Sequence, residues 1–229
     1  MRSTPVTVTS VLIILGLFVA LRTNAATPAR ALAVRTGEPR GINTLIARTP
    51  PLPDTLRVIA IRVDFQPDTL NTTTGDGSFF YEIPNGEDPE NWRIDPPPHD
   101  SLYFADQLYA LRRYFERHSR GKLALTGRQN NGPESGGDLF PVGAQAAYTL
   151  SYPIWHVNYG NGDNQRLNET LTQLFIDAWT LADADPDVNL SDYDLFLIFH
   201  AGAGNEFDTG FDTTPFDIPS VVIGPNDLT

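Results

Sequence analysis

The sequence predicts an α/β (α+β) fold, with helices packed on a mixed sheet. Three observations predict it. Val58-Ile59-Ala60-Ile61-Arg62-Val63-Asp64-Phe65 is rich in β-branched residues and nearly continuous in apolar character, as a strand buried on both faces must be. Two later stretches repeat their apolar residues every 3.6 positions. The second of these leads into another apolar run, Tyr193 to His200. Helix followed by strand, twice over, argues for helices covering a sheet.

The elements follow in order. Asp100-Ser101 is a helix-capping pair. Phe104, Leu108, Leu111 and Phe115 then share one helical face, Arg112, Arg113 and Arg117 take the other, and Arg120-Gly121 closes the helix. Leu123 to Gly127 reads as a strand entered tightly from that helix. Gln66 to Pro98 is a polar insertion with strong turn signals, and Phe79-Phe80-Tyr81 within it is expected as a short strand. The stretch from Gln129 to Gly162 is Gly- and Asn-rich, with apolar islands at Tyr148–Tyr152 and Ile154–Tyr159. Leu167, Leu171, Leu174, Ala178 and Leu181 mark the second helix, with Asn161 or Asp163 as its cap and Asp183 to Asp187 as its end.

Composition narrows the function classes. The chain has 229 residues, 41% of them hydrophobic, which is enough to build a core. A formal net charge of −12 makes nucleic acid an unsuitable partner, because phosphate neutralisation needs a basic face. With no cysteine there is no disulfide scaffold, Cys-ligated metal or Cys nucleophile. Acid is segregated along the chain: nothing after Arg166 is Lys or Arg, yet those 63 residues hold 12 acids.

The N-terminus reads as a secretory signal peptide over residues 1–25. Arg2 precedes an eleven-residue apolar run, Val11 to Leu21, and small residues follow at Ala25-Ala26. The run falls short of the roughly 20 residues that cross a bilayer, so a membrane anchor is the lesser alternative and no stable span is expected after cleavage. Cleavage leaves 14 basic against 28 acidic residues. Residues 26–54, with four Arg and five Pro, are expected to be a linker or propeptide-like leader, and residues 55–229 the folded domain. Export without cysteine suits a bacterial extracellular or periplasmic protein.

Candidate chemistry is sparse. The histidines at 99, 118, 156 and 200 lack the i, i+4 spacing of a helical H-E-x-x-H zinc motif. His118 fits a helix C-terminus favoured by the macrodipole. Nucleophile-elbow, P-loop and G-x-G-x-x-G motifs are absent. Asp183, Asp185 and Asp187 alternate like oxygen ligands for calcium, but Val188 and Asp194 occupy the positions where an EF-hand requires Gly and Glu, so a solvated loop is the competing reading. Asp208, Asp212 and Asp217 carry a weak suggestion of carbohydrate contact. His200-Ala201-Gly202-Ala203-Gly204-Asn205-Glu206 follows a buried strand, at the end of the sheet where α/β folds place sites. His200, Gly202, Gly204 and Glu206 thus form either a site-adjacent turn or a tight glycine turn without chemistry.

Three segments together resemble a family. They are Val63-Asp64-Phe65, then Leu111 to Gly127 with Ser119-Arg120-Gly121-Lys122-Leu123 at its centre, and last Tyr193 to Glu206. In this order they resemble the front of the catalytic domain of immune inhibitor A-type secreted zinc metallopeptidases, over residues 57–206. The resemblance implies a zincin-like sheet, a zinc cofactor, and hydrolysis of a protein or peptide substrate outside the cell. It also implies that the zinc-binding helix lies downstream of the His-Ala-Gly strand, so the chain looks like the front part of such a domain, truncated before the active-site helix. No position here matches the family's zinc ligands or general-base Glu, and this chain alone is expected to be inactive. A non-catalytic exported binding or structural module on the same scaffold is the alternative, and a carbohydrate-active exoprotein ranks below both.

Overall fold

The computed structural model describes residues 54–83, 85–86, 88, 96–129, 134–158, 164–205 and 214–222, together with the backbone of residues 13–14. The remaining leader and linker residues, the expected helix caps Asn161 and Asp163, Glu206, and the acids Asp208 and Asp212 lie outside them.

The described elements are β1 (Ile13–Ile14), β2 (Thr55–Asp64), α1 (Ser101–His118), β3 (Ala124–Thr126), β4 (Asp138–Phe140), β5 (Tyr148–Thr149), α2 (Trp155–Asn158), α3 (Asn164–Asp183), a single 3-10 turn (Leu190–Asp192) and β6 (Leu195–His200). The fold is α/β with a largely parallel sheet. Its spine is β2, ten residues long and fully buried from Val58 to Val63. On one side β2 pairs in parallel with β6, from Val58↔Leu195 to Val63↔His200. On the other side three short strands cover it in series, all parallel: β3 against residues 55–57, β4 against 59–61 and β5 against 63–64. The outer edge of β6 carries β1 antiparallel, with Ile13 opposite Phe199. The apolar run read as a leader core therefore contributes two residues to the sheet. Among the described residues no helix is long and apolar enough to cross a membrane.

Ring contacts show which face each helix covers. Phe104 of α1 lies 4.8 Å from Phe199, and Trp179 of α3 lies 5.1 Å from Phe196. Side chains at 196 and 199 point to opposite faces of a strand, so α1 and α3 sandwich the sheet. Asp100 caps α1 as expected, its side chain accepting from the N–H groups of Leu102 and Tyr103. The helix ends in a Schellman arrangement: Gly121 N–H donates to Glu116 O and Arg120 N–H to Arg117 O. The left-handed position is held by Arg120, at φ 58°, with Gly121 at φ 77° beside it.

Three expectations need correction. Phe79-Phe80-Tyr81 forms no strand; Phe79 packs its ring on Phe104 at 5.1 Å, so a core contact and not sheet pairing explains the aromatics. In α3 the period holds but the buried face is rotated. Leu171, Leu174, Phe175, Ala178, Trp179 and Ala182 are buried while Leu181 is exposed, because the two large aromatics turn toward the sheet. The last strand begins at Leu195, since the 3-10 turn occupies residues 190–192.

Candidate functional site

The C-terminal ends of the parallel strands β2 and β6 lie side by side, and there the chain turns sharply. His200 is fully buried, its Nδ1 2.9 Å from Ala201 O and its ring 6.4 Å from Phe65. Gly202 follows at φ 90°. A Cβ there would meet Ile154 Cδ1 and Thr74 O, both at 2.9 Å, so only glycine fits this approach. Gly204 then makes a parallel bridge to Ile218, and Asn205 N–H donates to Ile218 O. His200 thus ends the strand, Gly202 makes the close approach and Gly204 bridges to Ile218, all packed against residues from other segments.

Two buried carboxylates fasten those segments. Asp217 accepts from Thr74 N–H at 2.6 Å and from Thr74 Oγ1 at 2.7 Å, while Asn158 Nδ2 donates to Asp217 O. Asp217 is therefore a buried structural anchor and not a surface contact for sugar. Asp68 accepts from Leu70 N–H, Thr73 Oγ1 and Trp155 N–H. Together they fold the Thr-rich loop of residues 68–77 back over the ends of β2 and β6. Satisfied buried carboxylates of this kind hold loops rigidly. The pairings join residues up to 143 positions apart, which no local pattern signals.

On the α1 face of the sheet, Arg62 has no exposed surface. It donates to Ala144 O at 2.9 Å, Pro141 O at 2.8 Å and Gly143 O at 2.6 Å. Burial holds its pKa below the usual guanidinium value. Burial likewise pushes the Asp64 carboxyl up, opposed by a hydrogen bond from Thr149. Gln145, next to the loop pinned by Arg62, joins Phe79, Phe80, Tyr81, Glu82 and Asn85 in lining an open cavity of about 500 Å³. Tyr81 donates its hydroxyl proton to Gln145 O at 3.0 Å. Burial raises the Tyr81 pKa, with nearby Arg62 opposing it.

The candidate calcium residues are arranged differently. Asp183 is the last residue of α3, Asp185 accepts from Tyr148 Oη and from Asp187 N–H, and Asp187 is exposed. They lie in a helix–strand loop, and Asp185 alone braces β5 through Tyr148. Among the described residues no three His, Cys, Asp or Glu side chains gather as a metal-holding group.

Arg62 and the cavity escaped the sequence reading. An arginine in the middle of a β-branched strand is the one local signal for the former. Compared with known proteins, the chain matches no family model, no curated protein and no solved structure.

Proposed function

We propose that this chain forms the front portion of the catalytic domain of an exported zinc-dependent endopeptidase. The supporting observation is the meeting of two of the resembling segments: Val63-Asp64 ends β2 directly beside the end of β6, Val63 in register with His200, and the His-Ala-Gly turn leaves the sheet there. That is the edge of an α/β sheet at which ligands are ordinarily held. The third segment, α1 running into β3, covers one face of the same sheet.

The residues described do not fit a zinc site. They offer neither a paired-His helix nor a gathered set of three ligands. Zinc chemistry in this reading belongs to residues beyond those of this chain, whose own part is the scaffold and the strand edge. The same observation favours a second reading, a non-catalytic exported module that binds without hydrolysing.

Expression of the whole gene product, assayed on casein with and without a zinc chelator, separates the two. Chelator-sensitive hydrolysis by the gene product, with none by this chain alone, supports the peptidase. Absent or chelator-insensitive hydrolysis removes it and leaves the binding module.

A further inference from the structure

We propose that the cavity lined by residues 79–82, Asn85 and Gln145 is a recognition site for a cationic side chain, a lysine ammonium or arginine guanidinium carried by a peptide. The inference deepens the peptidase reading and rests on it only for the choice of a peptide as carrier.

Size, chemistry and rigidity all point this way. A cavity of about 500 Å³ lies within the usual range for small-ligand sites. Its lining combines the aromatic rings of Phe79, Phe80 and Tyr81 with the carboxylate of Glu82 and the amides of Asn85 and Gln145. Aromatic faces attract cations, and a neighbouring carboxylate adds charge. None of the lining residues is cationic. Glu82 is exposed and joins no salt bridge among the described residues. The buried Arg62 stands behind Tyr81 and opposes a second cation, but Asp64 and Asp100 also act on Tyr81, so with Glu82 the acids outnumber it. The chain's net charge of −12 adds to the attraction.

The loop beside Gln145 and the backbone of Phe80 are held in place before any ligand arrives. Arg62 fixes the carbonyls of residues 141, 143 and 144. Ser101 N–H donates to Ala144 O, and His99 N–H to Phe80 O. A preorganised wall lowers the ordering cost of binding.

The test titrates the full chain with Nα-acetyl-arginine amide and Nα-acetyl-lysine amide, followed by chemical-shift changes or calorimetry at low salt. The neutral isostere Nα-acetyl-citrulline amide and Nα-acetyl-norleucine amide serve as controls. Saturable binding of both cations is expected, with citrulline at least about tenfold weaker. Glu82→Gln and Phe80→Ala should each weaken the cations by about fivefold, and added salt should weaken them further. Glu82 is exposed, so its variant keeps the fold and remains decisive if Phe80→Ala does not. No saturable binding, citrulline binding as well as arginine, or an unchanged Glu82→Gln variant overturns the proposal. Binding is read without turnover, so a failed hydrolysis assay and a failed titration are distinct results.

Discussion

The guanidinium of Arg62 donates to the carbonyl of Gly143 at 2.6 Å from a position with no access to solvent. Two further carbonyls, of Pro141 and Ala144, complete its set of acceptors. Replacing Arg62 with Met keeps much of the volume but removes a donor from three carbonyls; Ala144 O keeps Ser101 N–H and Gly143 O keeps Ala146 N–H, while Pro141 O has no other donor among the described contacts. An orphaned acceptor costs about 1–3 kcal/mol, so Arg62→Met should lose about 1–3 kcal/mol in urea unfolding. Arg62→Lys, with one nitrogen, should lose less than Met but still be measurable. A loss under about 1 kcal/mol for Arg62→Met would show that water reaches these carbonyls.

The left-handed Arg120 offers the opposite sign. Non-glycine residues in this conformation cost about 1 kcal/mol or more, and glycine is the usual occupant of the Schellman position. Arg120→Gly should therefore raise stability by about 1 kcal/mol. A higher Tm in a thermal scan checks it. An unchanged Tm would mean that the charge of Arg120 at the helix C-terminus offsets its backbone strain.

Gly202 tests the packing of the turn after β6. The added methyl of Gly202→Ala collides with Thr74 O and Ile154 and is strained at φ 90° as well. Gly86, at φ 91°, has nothing within 4 Å of a Cβ and supplies the control for strain alone. Gly86→Ala should cost about 1 kcal/mol and Gly202→Ala at least about 2 kcal/mol more. Equal losses by denaturant titration would refute close packing at residue 202.

Alkaline pH should unfold the protein through its buried phenols. Burial raises the pKa of Tyr148, Tyr152 and Tyr193 well above the usual phenol value, and the facing carboxylates Asp185, Asp177 and Asp138 reinforce it. Above pH 10 the unfolded state releases these protons while the native state keeps them. The native state then binds more protons, so stability present below that pH is lost as pH rises. A falling unfolding free energy between pH 9 and 12, with a shallower fall in Tyr193→Phe, is the expected record (about one proton less in the slope).

Much of the architecture was legible because single elements carry their own pattern. Val58 to Ile61 is apolar without alternation and proved buried on both faces. Asp100 announced the start of α1. What escaped was non-local. The strand β4 is three residues long and pairs only because β2 passes beside it. Asp138 opens it as a buried carboxylate, accepting from Arg128 N–H, Gln129 N–H and Tyr193 Oη. Nothing near position 138 forecasts a tyrosine 55 residues away. At the candidate site, the glycines after His200 were visible in the sequence, whereas the cavity arises from residues 79–82 and Asn85 meeting Gln145.

The spine strand β2 carries a kinetic consequence. Its partner β6 joins it across a separation of 137 residues, a pairing sealed at one end by Arg57 and Asp194. Contacts so distant in sequence close slowly, because much loop entropy is lost before they form. During synthesis β2 emerges early and must wait for residue 200 before its sheet can be completed. Through that interval the chain stays open and extensible. Its sticky segment, Val58 to Ile61, then depends on chaperones to avoid aggregation.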